Sequence, residues 1–179
     1  MSPDLINSVS DIINSELTMC MVELNEMAVC HQKGLQGYKR FHRFNSMDRQ
    51  RHAIMLTNFL VEYTHTCPTI IVQYVGQANG NGNGNASLVT CLQKMYDLSQ
   101  AHLLKLKTVA ALAATSGEDL LLGQLESMIS DESGEAERYY REILELQNVN
   151  SDPVFTMIHS EKLHCKYKKK ELKYFNYEV

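Results

Sequence analysis

The sequence predicts an all-α protein built around a bundle of four long helices. Apolar residues recur every three or four positions through most of the chain, which is the spacing of one face of a helix. Glycine is scarce inside these periodic segments. Gly and Asn instead concentrate in one run, NGNGNGN at 79–85, which is typical of a flexible surface loop. At 179 residues, the chain is long enough for a single domain with a substantial core.

Breaks in the periodic pattern divide the chain into five helices. Gly34 suits the left-handed position that follows a helix, and Pro68 stops the second helix. Gly117 ends the third helix. Asp152 and Pro153 then suit the cap and the first turn of a new helix. The helices are expected over residues 5–30, 35–64, 86–114, 118–147 and 153–163.

A long connection joins the second and third helices. Residues 69–75, TIIVQYV, are rich in β-branched side chains and could form a short extended piece, and the loop 79–85 follows. Antiparallel neighbours in a bundle need no such crossover, so we expect these two helices to run parallel. The bundle is expected over residues 1–165. The Lys/Tyr-rich tail, 166–179, is interpreted as a frayed or surface-docked end, with a partner-binding or membrane-touching tail as the alternative.

The composition of the chain argues against several classes of function. A net charge of −4 and a pI near 6.0 give no reason to expect a nucleic-acid partner. The chain has no basic start followed by an apolar block, and no run of the roughly 20 apolar residues that a membrane helix needs. Five scattered cysteines predict reduced thiols in a cytoplasmic protein, with little support for a zinc site or a catalytic thiol.

Several short runs, in order along the chain, resemble the ferritin family. INSEL at 13–17 is similar to INxEL of that family's first helix, and His-Ala at 52–53 to the end of its second-helix EExxHA motif. AHLLKL at 101–106 is similar to QSLLEL of its third helix, and DLLLGQLE at 119–126 to the start of its fourth. The resemblance extends over residues 12–163. It implies a ferritin-like four-helix bundle with a long crossover between helices two and three and a short fifth helix.

The resemblance also locates a candidate iron site. In this family two iron ions are bridged by carboxylates, and imidazole completes one site. Glu16 matches the first-helix ligand and His52 the second-helix ligand, but Arg49 takes the place of a ligand Glu. Glu23 stands where the family has a tyrosine beside the site. Asp48 matches the acid just before the ligand Glu.

The remaining ligand positions are incomplete. On the third helix, Tyr96 or Ser99 falls at the bridging Glu, depending on where the gap is placed, and neither is a carboxylate. On the fourth helix, Ser133 falls at the family's Gln and is preceded by Glu132. The ferroxidase centre is therefore expected to be degenerate.

Three interpretations of Arg49 remain open from the sequence. Arg49 could form an internal ion pair with Glu16 or Glu23, because a guanidinium binds carboxylates bidentately and keeps its charge. A displaced metal site could use four residues. These candidate ligands are Glu16, Glu23, Asp48 and His52. A complete dinuclear centre is the least supported interpretation.

Positions implied for mineral growth and iron entry are also depleted of acids. Of the cavity-facing positions on the second helix, one alone is acidic. These positions are Phe44, Met47, Asp48, Arg51 and Ile54. At the threefold channel Glu126 matches one family acid and Gly123 replaces the other. The histidines other than His52 are predicted to be single surface residues.

The sequence therefore supports two main hypotheses. The first is a cytoplasmic ferritin-like subunit for iron binding and storage, which self-associates or co-assembles with other ferritin subunits and performs little or no oxidation. Iron is its one implied cofactor, and Glu126 is a further possible contact. The alternative is a ferritin-fold structural or chaperone-like oligomer that no longer handles iron. A third reading is an unrelated four-helix scaffold.

Overall fold

A computed structural model of the protein describes residues 1–72, 87–150 and 152–176, with backbone only for 171–176. All regular structure in these ranges is helical, which confirms the all-α prediction. The five helices are α1 (Pro3–Gln32), α2 (Gln36–Thr64), α3 (Leu88–Thr115), α4 (Asp119–Asn148) and α5 (Pro153–Asn176). Within the described ranges, none of them has the length and apolarity that crossing a membrane would require.

Local sequence signals account for the helix ends. The Ser87 hydroxyl caps α3 by accepting the Thr90 amide at 3.1 Å. Asp152 caps α5, accepting the Val154 amide at 2.9 Å, with Pro153 in the first turn. Gly34 has a φ of +72°, so it takes the left-handed conformation predicted for the residue after α1.

Two apolar clusters lie at opposite ends of the bundle. One combines the first half of α1 and α4 with the second half of α2 and α3. The other combines the opposite halves of the same helices and also includes α5. Because α2 and α3 contribute their second halves to the same cluster, these two helices run parallel, as the crossover predicted.

The crossover begins alongside α1. Residues 65–72 have no regular secondary structure. The Asn14 side chain fixes them to α1, donating to the Thr69 carbonyl at 3.1 Å and accepting the Ile71 amide at 2.8 Å. The remainder of the 69–75 segment and the Gly/Asn run at 79–85 lie outside the described residues.

The fifth helix packs on α2 and is the shortest of the five. It continues past Leu163, where the sequence predicted its end, to Asn176. Leu163 and Tyr167, one helical turn apart, are 4% and 1% exposed and face the bundle, which accounts for the extra turns. The Lys170 ammonium lies 5.3 Å from the Phe44 ring and 5.2 Å from the Tyr167 ring, so this part of the tail is docked rather than frayed.

Candidate functional site

A layer of buried polar side chains separates the two apolar clusters. We call it the polar layer, and each of its members is at most 3% exposed. It receives side chains from all four bundle helices. The members are Glu16, Glu23, His42, Asn45, Arg49, His52, Ser99, His102, Glu132, Glu135 and Tyr139.

Arg49 lies at the centre of the polar layer. Its Nη1 is 3.3 Å from Glu16 Oε2 and also donates to Glu132 Oε2. Its Nη2 is 2.9 Å from Glu132 Oε1, 3.1 Å from Glu135 Oε2 and 3.2 Å from Ser99 Oγ. One guanidinium thus joins α1, α2, α3 and α4. These carboxylates raise the pKa of Arg49 above its usual value despite complete burial, so the side chain is a permanent cation.

Two histidines complete the surroundings of Glu16. His52 Nδ1 lies 3.2 Å and His102 Nε2 lies 3.0 Å from Glu16 Oε1. Burial alone would raise the pKa of Glu16, but Arg49 and the two imidazoles lower it well below its usual value. Glu16 is therefore a stable buried carboxylate that accepts from three cationic or N–H groups.

Glu135 is the third carboxyl group beside Arg49. Burial and the nearby Glu132 raise its pKa well above the usual value, even though Arg49 opposes the shift. The Tyr139 hydroxyl lies between this carboxyl group and that of Glu23. It can donate to Glu23 Oε1 or to Glu135 Oε1, the latter at 2.9 Å, and it accepts from Asn45 Nδ2 at 2.8 Å.

Glu23 and His42 form a second buried pair. His42 Nδ1 lies 2.5 Å from Glu23 Oε2, and both side chains are 0% exposed. Burial alone would lower the pKa of His42, but the Glu23 carboxylate and a contact with Cys30 raise it to about 10. The expectation of a surface position was therefore wrong for His42, and equally for His102.

The structure separates the four predicted ligands. Glu16 and His52 contact each other. Glu23 belongs to the His42 pair, on the far side of Tyr139. Asp48 lies outside the polar layer and pairs with Arg51 at 2.8 Å. The predicted ion pair of Arg49 with Glu16 is present, whereas its contacts on α4 replace the predicted alternative with Glu23.

Sequence reasoning missed the contribution of α4. Ser99 faces Arg49 from α3, which resolves the choice between Ser99 and Tyr96. Ser133, aligned with the family's Gln, is exposed and donates to the Ile129 carbonyl. Helical spacing could have identified the inward face, because three polar side chains of α4 stand at intervals of three and four positions. These are Glu132, Glu135 and Tyr139.

The residues present do not fit a pair of iron ions. Arg49 is in contact with three of the four carboxyl groups that α1 and α4 supply to the polar layer, and α3 supplies a hydroxyl in place of a bridging carboxylate. Two unit charges about 4 Å apart repel by about 4 kcal/mol at an effective dielectric constant of about 20, and a divalent ion doubles that figure. The guanidinium therefore opposes the binding of a metal cation between these carboxyl groups.

One subset of the layer has the mutual distances of a metal site. Ligand atoms of Glu16, His102 and Glu132 all lie within 4.8 Å of one another. Arg49 donates to both of these carboxylates. A single ion at this position would therefore compete directly with the guanidinium for the same oxygen atoms.

Comparisons with known proteins establish the fold. No family model matches the chain, and no curated protein sequence is similar to it. An open pore ferritin from the hyperthermophilic archaeon Archaeoglobus fulgidus superposes with a TM-score of 0.78 at 13% identity, over 92% of this chain and 98% of that one. A humanized archaeal ferritin gives 0.78 at 14% identity, over 92% and 97%. The chain therefore has a ferritin-like fold.

Proposed function

We propose that this chain is a ferritin-like subunit of an intracellular iron-storing assembly that performs little or no iron oxidation itself. It would form the assembly by self-association or by joining other ferritin subunits. The ferritin-like fold supports the role of a wall subunit. The iron-storage role rests on the similarity of this fold to ferritin structures and on the presence of Glu16 and His52 at two matching ligand positions.

The observation that carries the proposal is the position of Arg49. Its guanidinium is 0% exposed and contacts the carboxyl groups of Glu16, Glu132 and Glu135. A ferroxidase centre needs these oxygens for metal ions. Here they neutralise a fixed cation, which supports a subunit that leaves oxidation to others.

A second candidate is a ferritin-fold structural or chaperone-like oligomer that does not handle iron. The same arginine is compatible with it, and so is the apolar character of the cavity-facing positions. Ile54 is 53% exposed where iron-storing relatives would place an acid to seed mineral. The two candidates differ in whether the assembly retains iron.

Iron oxidation by the purified chain tests the first proposal. Fe²⁺ is added in air to the full chain, and the amber absorbance of the ferric product is followed beside a protein-free control. We expect equal rates, because the guanidinium occupies the place of the metal ions. A clear acceleration by the wild-type chain would contradict the proposal.

Two variants identify the cause of the inactivity. Arg49→Glu alone is expected to stay inactive, since α3 still lacks a carboxylate at Ser99. The double variant Arg49→Glu/Ser99→Glu supplies both missing groups and is expected to accelerate oxidation. Arg141→Glu, which reverses the charge of a side chain that is 61% exposed on α4, is the matched control and should not change the rate.

Iron retention separates the two candidate functions. The chain is sized by light scattering alone and after co-assembly with an oxidation-competent ferritin, then loaded with Fe²⁺ and analysed for iron by mass spectrometry. Iron that elutes with a large assembly containing the chain supports storage. A large assembly without iron supports the structural alternative, and a monomer with no partner contradicts both.

A further inference from the structure

A second group of side chains that can serve as metal ligands shares His42 with the polar layer and extends toward the end of the bundle that includes α5. Four potential ligands converge there from three helices, and all are at most 5% exposed. They are Glu26 and Cys30 of α1, His42 of α2 and Cys91 of α3.

One ring nitrogen of His42 is held by a hydrogen bond, and the other has no partner in the described part of the chain. Its Nδ1 is held by Glu23 Oε2 at 2.5 Å, while Nε2 has no hydrogen-bond partner among the described residues. A carboxylate that fixes one imidazole nitrogen and leaves the other available is the usual support of a metal-binding histidine. The Cys30 side chain contacts the same imidazole.

The other two candidate ligands, Cys91 and Glu26, also interact with each other. The Cys91 thiol interacts with the Glu26 carboxyl group and also with Cys30. Glu26 Oε2 has no hydrogen-bond partner among the described residues, and Glu26 Oε1 lies 3.9 Å from the Lys94 ammonium. Buried polar atoms without partners are costly, so His42 Nε2 and Glu26 Oε2 each gain by binding a further group.

We propose that Cys30, Cys91, His42 and Glu26 form a binding site for a single thiophilic divalent cation of the Zn²⁺ class. Two sulfurs, one imidazole nitrogen and one carboxylate oxygen are a ligand set suited to tetrahedral Zn²⁺. The ion would join α1, α2 and α3 through groups that are distinct from those around Arg49. This site neither requires nor excludes the function proposed above.

Binding requires small side-chain movements. Among the described residues, these four groups do not have the mutual ligand distances found for Glu16, His102 and Glu132; they meet instead as two neighbouring pairs. The proposal requires both cysteines to change χ1 so that their sulfurs point to one ion, and a rotamer change costs less than moving a helix. Binding also releases protons to solvent. The ion must displace the protons of Cys30, of Cys91, whose pKa is raised by burial and Glu26, and of His42 Nε2.

Cobalt titration tests the site in the full chain. Co²⁺ is added anaerobically to the reduced protein after chelator treatment, and thiolate-to-cobalt charge transfer and the visible bands of tetrahedral cobalt are recorded. We expect saturation at one Co²⁺ per chain and loss of both signals on addition of Zn²⁺. Cobalt bound by Glu16, His102 and Glu132 would have oxygen and nitrogen ligands and would give no thiolate band.

Serine variants locate the sulfur ligands. Cys30→Ser/Cys91→Ser should reduce the thiolate band to background. Cys67→Ser/Cys165→Ser, which changes two exposed cysteines, should leave it unchanged. A wild-type chain without the band, or a band that survives in the first variant, would overturn the proposal. Circular dichroism of both variants checks that they are folded.

X-ray absorption of the zinc-loaded wild-type chain gives an answer that does not depend on the folding of any variant. We expect a first shell of about two sulfur atoms at about 2.3 Å, completed by nitrogen or oxygen at about 2.0–2.2 Å. A shell with oxygen and nitrogen alone would refute the assignment of the cysteines.

Discussion

Arg49 allows the bundle to keep several acidic side chains in its interior without a metal ion. Desolvating a charge costs several kcal/mol unless good geometry and further hydrogen bonds compensate. Glu16 and Glu132 receive that compensation from one guanidinium, and Ser99 accepts a further hydrogen bond from the same group. Because a guanidinium cannot lose its charge, this cation stays in place under conditions that would remove a metal.

Replacing Arg49 by Met should therefore destabilise the protein strongly. Removal of one partner from a buried ion pair typically costs about 3–5 kcal/mol, because the other charge is left buried and unpaired. The comparison is with Arg51→Met, whose side chain is 48% exposed and pairs with Asp48 and Asp131. Exposed pairs contribute about 0–1 kcal/mol. Urea unfolding of both variants measures the difference, and similar losses would show that the buried network is not stabilising.

At the scale of single residues, the sequence predicted part of the site. Arg49, Glu16 and His52 follow from short motifs, since each lies within a run that resembles a family pattern. Glu135 and His42 lie outside any such run, and ordinary statistics place acids and histidines on the surface. The periodic signal was nevertheless available on α2, where four polar residues at intervals of three, four and three positions share one helical face. They are His42, Asn45, Arg49 and His52.

The helices were predictable as elements because caps and breakers mark their ends. Asp152 with Pro153 and Gly34 identified two boundaries directly. The length of α5 was not predictable in the same way. Its last turns are rich in Lys, and up to residue 170 the docked face is marked by the buried Tyr167 and by the Lys170 ammonium over the Phe44 ring. That contact depends on where Phe44 of α2 lies in the folded protein, which the sequence of α5 does not show.

Docking of α5 depends on a glycine. Gly37 approaches α5 so closely that an added Cβ would lie 1.7 Å from the Ser160 carbonyl oxygen, and its amide donates to Ser160 Oγ at 2.9 Å. Gly37→Ala should therefore displace α5 and lower the free energy of unfolding by about 1–3 kcal/mol, as overpacking does. Amide hydrogen exchange, compared between Gly37→Ala and the wild-type chain, should accelerate more in α5 than in α3.

Gly123→Ala is the matched control for that prediction. Gly123, like Gly37, lies inside a helix. Gly123 is exposed, however, and an added Cβ there meets nothing within 4 Å. Alanine is the better helix former by about 1 kcal/mol, so this variant should be as stable as the wild-type chain or slightly more stable. If Gly37→Ala behaved like Gly123→Ala, the close α2–α5 contact would be disproved.

For the whole molecule, the order of the motifs and the long crossover were enough to predict the architecture. The arrangement of charge inside it required the structure. Two apolar clusters enclose the polar layer, and the layer holds its own counterions, with Arg49 facing Glu16 and His42 facing Glu23. From the sequence, Arg49 could pair with Glu16 or Glu23, and the structure selects Glu16, 33 positions away. The pair of His42 with Glu23, 19 positions apart, was not predicted.

This internal charge balance makes stability depend on pH. His42 has a pKa of about 10 in the folded protein, against about 6.5 when unfolded, and the pKa of His52 is also raised. The pKa of Glu135 is raised as well, chiefly by burial, which acts in the same direction. Between pH 6.5 and 8.5 the folded chain thus binds more protons than the unfolded chain, so stability must fall as pH rises. Glu16, whose pKa is lowered, acts oppositely, and its contribution is lost as pH falls below about 4.5.

Urea unfolding at pH values from 6.5 to 8.5 measures this slope. His42 alone should lower the free energy of unfolding by up to about 1.4 kcal/mol per pH unit once the unfolded imidazole has lost its proton. Glu23→Gln removes the carboxylate that raises the pKa of His42, so the slope of this variant should be flatter by about that amount. Glu137→Gln, which changes a carboxylate that is 70% exposed, should keep the wild-type slope. A wild-type stability that is constant or rises across this range would mean that His42 is not charged in the folded protein.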